Sequence, residues 1–429
     1  MSLQASPPAE DLPFHMRGNY APVREEVTAF ELPVTGALPP ELRGLYVRNG
    51  PNPRGVTPHW FLGHGMLHGV RLEGGRAAWY RNRWVQTREL LEEDALRVRE
   101  DGSVDLAIGL ANTNVIGHAG RILALVETSF PTCMTPELET LHTYDFAGRL
   151  NTPMTAHPKI CPRTGELHFF GYHFAPPFLT YHRVDAAGNL VQSEEIPVRG
   201  ATMIHDFAIT ARHVVFMDLP VVFSPRLLET GRFPFEWSDD YGARLGVMPR
   251  GGRGSDVCWF EIEPCYVFHP LNGFDEPGAG SRGRVVLDVA RYPELWRDDP
   301  EAFTPATLHR FRLDLDTGTV SEQGLDDHPI EFPRVDDRLT GLPHRFGYAV
   351  SNTSHVGERP TRALQYDLVT GRTRAHDFGP GRAPGELVFV PAGHGAAEDE
   401  GWLVGYVHDA AATPATSWCS TRRASTARP

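Results

Sequence analysis

Leu179–Leu190 reads LTYHRVDAAGNL, and the fold class turns on this stretch. An apolar and aromatic run of strand type meets an Asp-containing turn and then Gly188. That is hairpin chemistry, with Gly supplying the positive φ of a tight turn. The same order recurs in LHTYDFAGRL (Leu141–Leu150), LHRFRLDLDTGTV (Leu308–Val320) and LQYDLVTGRT (Leu364–Thr373). The glycines concerned are Gly148, Gly188, Gly318 and Gly371. Their separations are roughly one, three and one blade lengths of about 40–50 residues, the period of propellers, with the last interval loose. Elsewhere short β-branched or aromatic runs are broken by Gly, Pro, Asn and Asp, as in Arg121–Glu127, Val214–Leu219, Arg284–Asp288 and Trp402–Val407. Helical periodicity is scarce. It is expected over Pro293–Phe303 and in short turns around Leu90 and Leu227. A β-sandwich array shares such hairpins; the period favours one all-β propeller of about seven blades.

Composition agrees. The 429 residues carry 42 Gly and 37 Pro, spread along the chain rather than pooled in a linker. A net charge of −13 argues against a nucleic-acid partner, because neutralising phosphates needs Lys and Arg. The basic residues are almost all Arg, and Lys159 is the sole lysine. The five cysteines form no C-x-x-C pair, which argues against a disulfide framework or a zinc ribbon. The N-terminal MSLQASPPAEDLPFH lacks a signal-peptide pattern, and no run approaches the roughly 20 apolar residues of a spanning helix. The expectation is a cytoplasmic protein whose single domain occupies 1–429, with 1–16 disordered.

Three of the 20 histidines stand out by setting. His157 lies in MTAHPK, His205 in MIHDFAIT and His269 in CYVFHPLN, all at edges of apolar strands and roughly one blade apart. The innermost strand of each propeller blade lines the axis, so such histidines would converge there. Imidazoles suit Fe, Zn, Cu or Ni. A ligating His usually donates its other N–H to a carboxylate. Glu127, Glu331 and Glu386 flank apolar strands and are candidates for that role. Taken singly, each histidine reads more readily as a hydrogen-bonded structural residue, and each glutamate equally well as a solvated strand end.

These segments resemble the carotenoid cleavage oxygenase family. Its N-terminal signature is matched by GNYAPVREEV, LPVTGALPPELRGLYVRNGPNP and HWFLGHGMLHGVRL. ANTNVIGHAGRILALVE, MTAHPK, MIHDFAIT, FHPLNGFDE, EFPRVDDR and GELVFVP follow in the family's order, so that the resemblance covers roughly Arg17 to Asp409. It implies a seven-bladed propeller with a loop and helical cap over Fe(II), which four histidines hold on the axis. His157, His205 and His269 match the first three ligands, and Glu127, Glu331 and Glu386 match the outer glutamates. The implied reaction adds O2 across a conjugated double bond of a polyene and releases two carbonyl products.

The sequence departs from the family pattern in places. His64 stands in G-x-G-M where family members usually carry Asp. The lignostilbene-cleaving branch places Lys just before its first outer glutamate; here that residue is Val126, which disfavours phenolic stilbenes. The family's fourth His is expected in an F-H-G-like motif past the end of this chain. His394 and His408 precede that place and read as surface or turn residues. After YVHDAA the tail TPATSWCSTRRASTARP is a poor β sequence. One coding of TSWCSTRR, read in a shifted frame, gives Asp-Leu-Val-Val-Leu-Asp-Ala. A frameshift, an aberrant tail over 411–429 and an incomplete last blade are therefore expected.

A polyene is dissolved in lipid. Phe223, Leu227, Leu228, Phe233, Phe235 and Trp237 crowd a Pro-bearing loop and are candidates for substrate access and peripheral membrane contact. Other readings are a stilbene-cleaving enzyme of the same fold, a propeller lactonase using a hard cation on oxygen ligands, and a propeller that binds without catalysis.

Overall fold

The computed structural model describes all residues except 1–11, 93–94, 96, 100–101, 279, 300–302, 352–360, 412–417 and 425–429, and for 418–424 the backbone alone. Seven four-stranded antiparallel sheets follow one another in chain order, forming a seven-bladed β-propeller. The first strand of each middle blade is its edge strand nearest the next blade's first strand; Ala208–Ile209, Tyr266–Asp275 and Ile330–Arg334 pack in succession.

The second strands carry the core. Leu167–Tyr172, His213–Asp218 and Phe346–Ser351 are buried almost throughout, because each is flanked in its own sheet and covered by both neighbouring blades. The outermost strands, such as Leu190–Glu195 and Arg372–Asp377, are polar and largely exposed. An apolar run, a turn and a polar run is thus the sequence image of one hairpin. Gly148, Gly188, Gly318 and Gly371 all sit at positive φ, between 68° and 91°. The Asp carboxylate before each turn accepts from backbone N–H groups inside it, as Asp314 does from Asp316 and Thr317 and Asp367 from Val369 and Thr370.

Short helices stand at Arg88–Leu91 and Pro225–Glu229, where they were expected. The helix expected over Pro293–Phe303 does not form. Leu295 instead bridges Phe303 in antiparallel fashion, and Trp296 takes φ 54°. Asp299 precedes Pro300, and a residue before proline is driven out of the helical region. Residues expected to be disordered at the N-terminus are partly packed: Phe14–Met16 make a 3₁₀ turn with His15 and Met16 buried, while 1–11 lie outside the described residues.

The last blade also differs from expectation. Trp418–Ala424, in the stretch read as a poor β sequence, pairs antiparallel with Gly401–Asp409 from Gly401↔Ala424 to Val407↔Trp418. Arg382–Pro384 and Val388–Pro391 share the other edge of Gly401–Asp409, so this blade is three strands deep. Strand Thr28–Phe30 forms the outer edge of the first blade. No helix among the described residues is long and apolar enough to cross a membrane.

Candidate metal centre

His157 lies two residues before the first strand of the third blade, Lys159–Ile160. His205 precedes the first strand of the fourth, Ala208–Ile209, and His269 lies within that of the fifth, Tyr266–Asp275. Equivalent positions in consecutive blades turn their rings toward one point. One ring nitrogen from each lies within 4.8 Å of the others, and no fourth His, Cys, Asp or Glu joins them among the described residues. His205 Nε2 and His269 Nε2 are 3.2 Å apart. The His157 ring centroid is 4.3 Å from that of His205 and 5.0 Å from that of His269.

The outer carboxylates divide. His205 Nδ1 pairs with Glu127 Oε1. His269 Nδ1 is 2.7 Å from Glu331 Oε2, which also accepts from the Phe332 backbone N–H. Glu386 does not act in this way. Its side chain is 44% exposed and pairs with Arg334 at 3.1 Å, and it meets none of these three histidines. Among the described residues no carboxylate pairs with His157.

Electrostatics follow burial. Burial first, and then the neighbouring imidazoles, hold His157 well below the usual imidazole range, so it is a neutral donor. Burial lowers the His269 pKa, but Glu331 first, and then Asp206 and Glu386, raise it, and the net shift is upward. Burial likewise opposes ionisation of Glu331, but His269 prevails and keeps it a carboxylate. Lys159 is tied to the buried Asp206 at 2.7 Å, so the sole lysine is a structural partner behind the histidines. His157 Nε2 is buried and has no hydrogen-bond partner. An unpartnered ring nitrogen beside two imidazoles whose Nδ1 atoms face carboxylates fits a divalent transition metal of the nitrogen-preferring kind.

Aromatic side chains lead away from this point. Phe268 packs edge-on against His205 at 5.1 Å and touches Trp296 at 5.8 Å and Phe61 at 6.5 Å. Phe61 meets Phe233, Phe233 meets Phe235, Phe235 meets Phe223, and Phe223 stacks on Phe174, which is 48% exposed. The expected access residues therefore split. Leu227 and Trp237 are buried, Phe223, Phe233 and Phe235 are half-buried, and Leu228 is 56% exposed. His64 lies in the first blade outside the cluster, its pKa lowered by burial and by Arg54. His394 is exposed in a turn, and His408 pairs with Ala383 on its strand.

Sequence reasoning missed Phe61, Phe268 and Trp296, and the tyrosines that contact the outer carboxylates. Tyr172 Oη donates to Glu127 Oε2 and Tyr292 Oη to Glu331 Oε1. A tyrosine ending an apolar strand carries no local mark of such a role.

The fold and the cluster define a β-propeller with an axial, histidine-lined metal site. The model of the retinal pigment epithelial membrane protein family matches residues 20–424, running past Asp409, where the resemblance had been expected to stop. A carotenoid cleavage oxygenase of Mycobacterium tuberculosis is 39% identical, over 91% of this chain and 89% of the relative. The crystal structure of Pseudomonas brassicacearum lignostilbene dioxygenase superposes with a TM-score of 0.86 at 29% identity, covering 99% of this chain and 94% of that one. A cobalt-substituted Synechocystis ACO gives 0.79 at 27% identity, covering 91% and 89%. The chain belongs to this family, that of the carotenoid cleavage oxygenases.

Proposed function

We propose that this chain is a non-haem iron(II) dioxygenase that cleaves one conjugated C=C bond of a carotenoid or apocarotenoid. O2 is consumed, the double bond breaks, and each carbon keeps one oxygen atom as a carbonyl. Atoms and electrons balance without an external reductant or a proton acceptor. One observation carries the reading: three imidazoles, two of them backed by carboxylates, meet at the inner end of an aromatic wall. His157, His205 and His269 would hold the metal. Fe(II), when bound, supplies the activation of O2. The protein's part is positioning: Phe268, Phe61 and Trp296 exclude water and offer ring faces and edges to an apolar polyene.

The likeness to a lignostilbene dioxygenase keeps a stilbene substrate as the second reading. Val126 is buried and Lys159 is engaged by Asp206, so neither offers a cation to a phenolate. The test is anaerobic Fe(II) loading, then reaction with an apocarotenal or a stilbene under ¹⁸O2. Iron at one per chain and one label in each carbonyl fragment of the apocarotenal is the expected result. Labelled stilbene fragments alone would select the second reading. Iron uptake well below one per chain would mean that the three histidines do not suffice.

The polyene would enter from a lipid leaflet past Leu228 and Phe174. Replacing both by Asp is expected to lower the affinity for neutral liposomes at least about tenfold, since burying each apolar side chain is worth about 1.5–3 kcal/mol. Unchanged co-sedimentation would remove membrane contact from the proposal.

A further inference from the structure

We infer that Tyr172 and Tyr292 are positioning residues of the metal centre, each fixing by one hydrogen bond the carboxylate that orients a ligand histidine. The inference rests on reading His157, His205 and His269 as metal ligands. Tyr172 Oη donates to Glu127 Oε2 at 2.7 Å, while Oε1 of the same carboxylate faces His205 Nδ1. Tyr292 Oη donates to Glu331 Oε1 at 2.9 Å, while Oε2 faces His269 Nδ1 at 2.7 Å. Each glutamate thus gives one oxygen to a phenol and the other to an imidazole.

The two tyrosines occupy equivalent places in their own blades. Tyr172 is the last residue of the second strand of the third blade, Leu167–Tyr172. Tyr292 is the last residue of the second strand of the fifth, Arg284–Tyr292. Both tyrosines reach a glutamate of another blade: Glu127 follows strand Arg121–Leu125 of the second, and Glu331 lies in Ile330–Arg334 of the sixth. The third blade thus reaches back to the second, and the fifth reaches forward to the sixth.

The physical need is plain. A buried carboxylate held by one donor can still turn about its terminal torsion. A second donor on the other oxygen fixes its plane, and with it the imidazole that faces it. Both phenols are strong candidates for permanent donors, since burial first, and then the carboxylates, push their pKa values well above the ordinary phenol range. His205 has a further anchor, because Tyr266 Oη donates to the Met203 carbonyl just before it at 3.0 Å.

The test compares Tyr172→Phe, Tyr292→Phe and the double variant with Tyr181→Phe. Tyr181 is a fully buried phenol bonded to His168 and not to Glu127, Glu331 or a histidine of the cluster, and its loss gives a structural control. Co(II) affinity is read by chelator competition. The ¹⁵N shifts of the histidines are read in metal-free protein, where they report which ring nitrogen carries the proton. The double variant is expected to bind Co(II) some 10–100-fold more weakly, the usual effect of losing an outer partner of a ligand. It is also expected to lose the single Nδ1–H tautomer of His205 and His269, while Tyr181→Phe changes neither. Co(II) affinity equal to that of the Tyr181→Phe control, with unaltered ¹⁵N shifts, would overturn the inference. If the wild type takes up no Co(II), the metal reading itself fails. The ¹⁵N shifts then decide alone whether the phenols position the histidines, unaltered shifts overturning it.

Discussion

Replacing His269 by alanine is expected to abolish stoichiometric Fe(II) uptake and to bring polyene cleavage down to background. The ring nitrogen lost lies 3.2 Å from that of His205. Its removal leaves two imidazoles, and it also strands Glu331, a buried carboxylate whose remaining donors are Tyr292 and the Phe332 N–H. Glu331→Gln should be milder. It keeps the volume and both ligand-side rings but weakens the hydrogen bond that sets the His269 tautomer, for a loss of about 10–100-fold in metal affinity. Iron content per chain after anaerobic loading, measured beside the thermal midpoint of each variant, separates a lost ligand from a lost fold. One iron per chain in His269→Ala, at wild-type affinity, would remove this histidine from the ligand set.

How much of this was legible in the sequence can be argued residue by residue. The hairpin repeat was readable because Asp and Gly act locally. A carboxylate capping its own turn and a glycine at positive φ leave the same trace wherever they occur, and all four glycines obey it. The three histidines were readable because each precedes or lies in the first strand of consecutive blades, so chain spacing maps onto the axis. Glu127 and Glu331 were legible from their places beside apolar strands. The same signal misplaced Glu386, whose partner is Arg334, because flanking an apolar strand says nothing about which group a carboxylate meets. Tyr172 and Tyr292 were not legible at all. Each bonds to a glutamate 45 or 39 residues away, across blades, and ends an apolar strand as any core aromatic does. The strand Trp418–Ala424 was missed for a different reason. Its side chains are poor strand formers, but pairing uses backbone groups, and the free edge of Gly401–Asp409 is a template for any chain lying along it.

The largest stability effect is expected outside the histidine cluster, at Asp288. This carboxylate is fully buried on strand Arg284–Tyr292, and Arg310 grips it with Nε at 2.6 Å and Nη2 at 2.7 Å. Asn272 stands opposite it in register and reaches on to the carbonyls of Leu339 and Leu342, joining the fifth blade to the loop between the first two strands of the sixth. Asp288→Ala leaves a guanidinium in the interior without its partner, and breaking a buried pair in this way costs about 3–5 kcal/mol. Against a total stability of about 5–15 kcal/mol, that approaches global unfolding. The double variant Asp288→Leu, Arg310→Met removes both charges and should regain most of the loss, because the desolvation of each charge disappears with it. The denaturant midpoint at unchanged slope is the measurement, and a loss below about 1 kcal/mol for Asp288→Ala would refute the argument. Iron affinity in the folded fraction should stay near that of the wild type. His269 lies on the strand that carries Asn272, but its ring is held by Glu331 and not by Asp288, so the propeller can lose stability without losing the geometry of its axis.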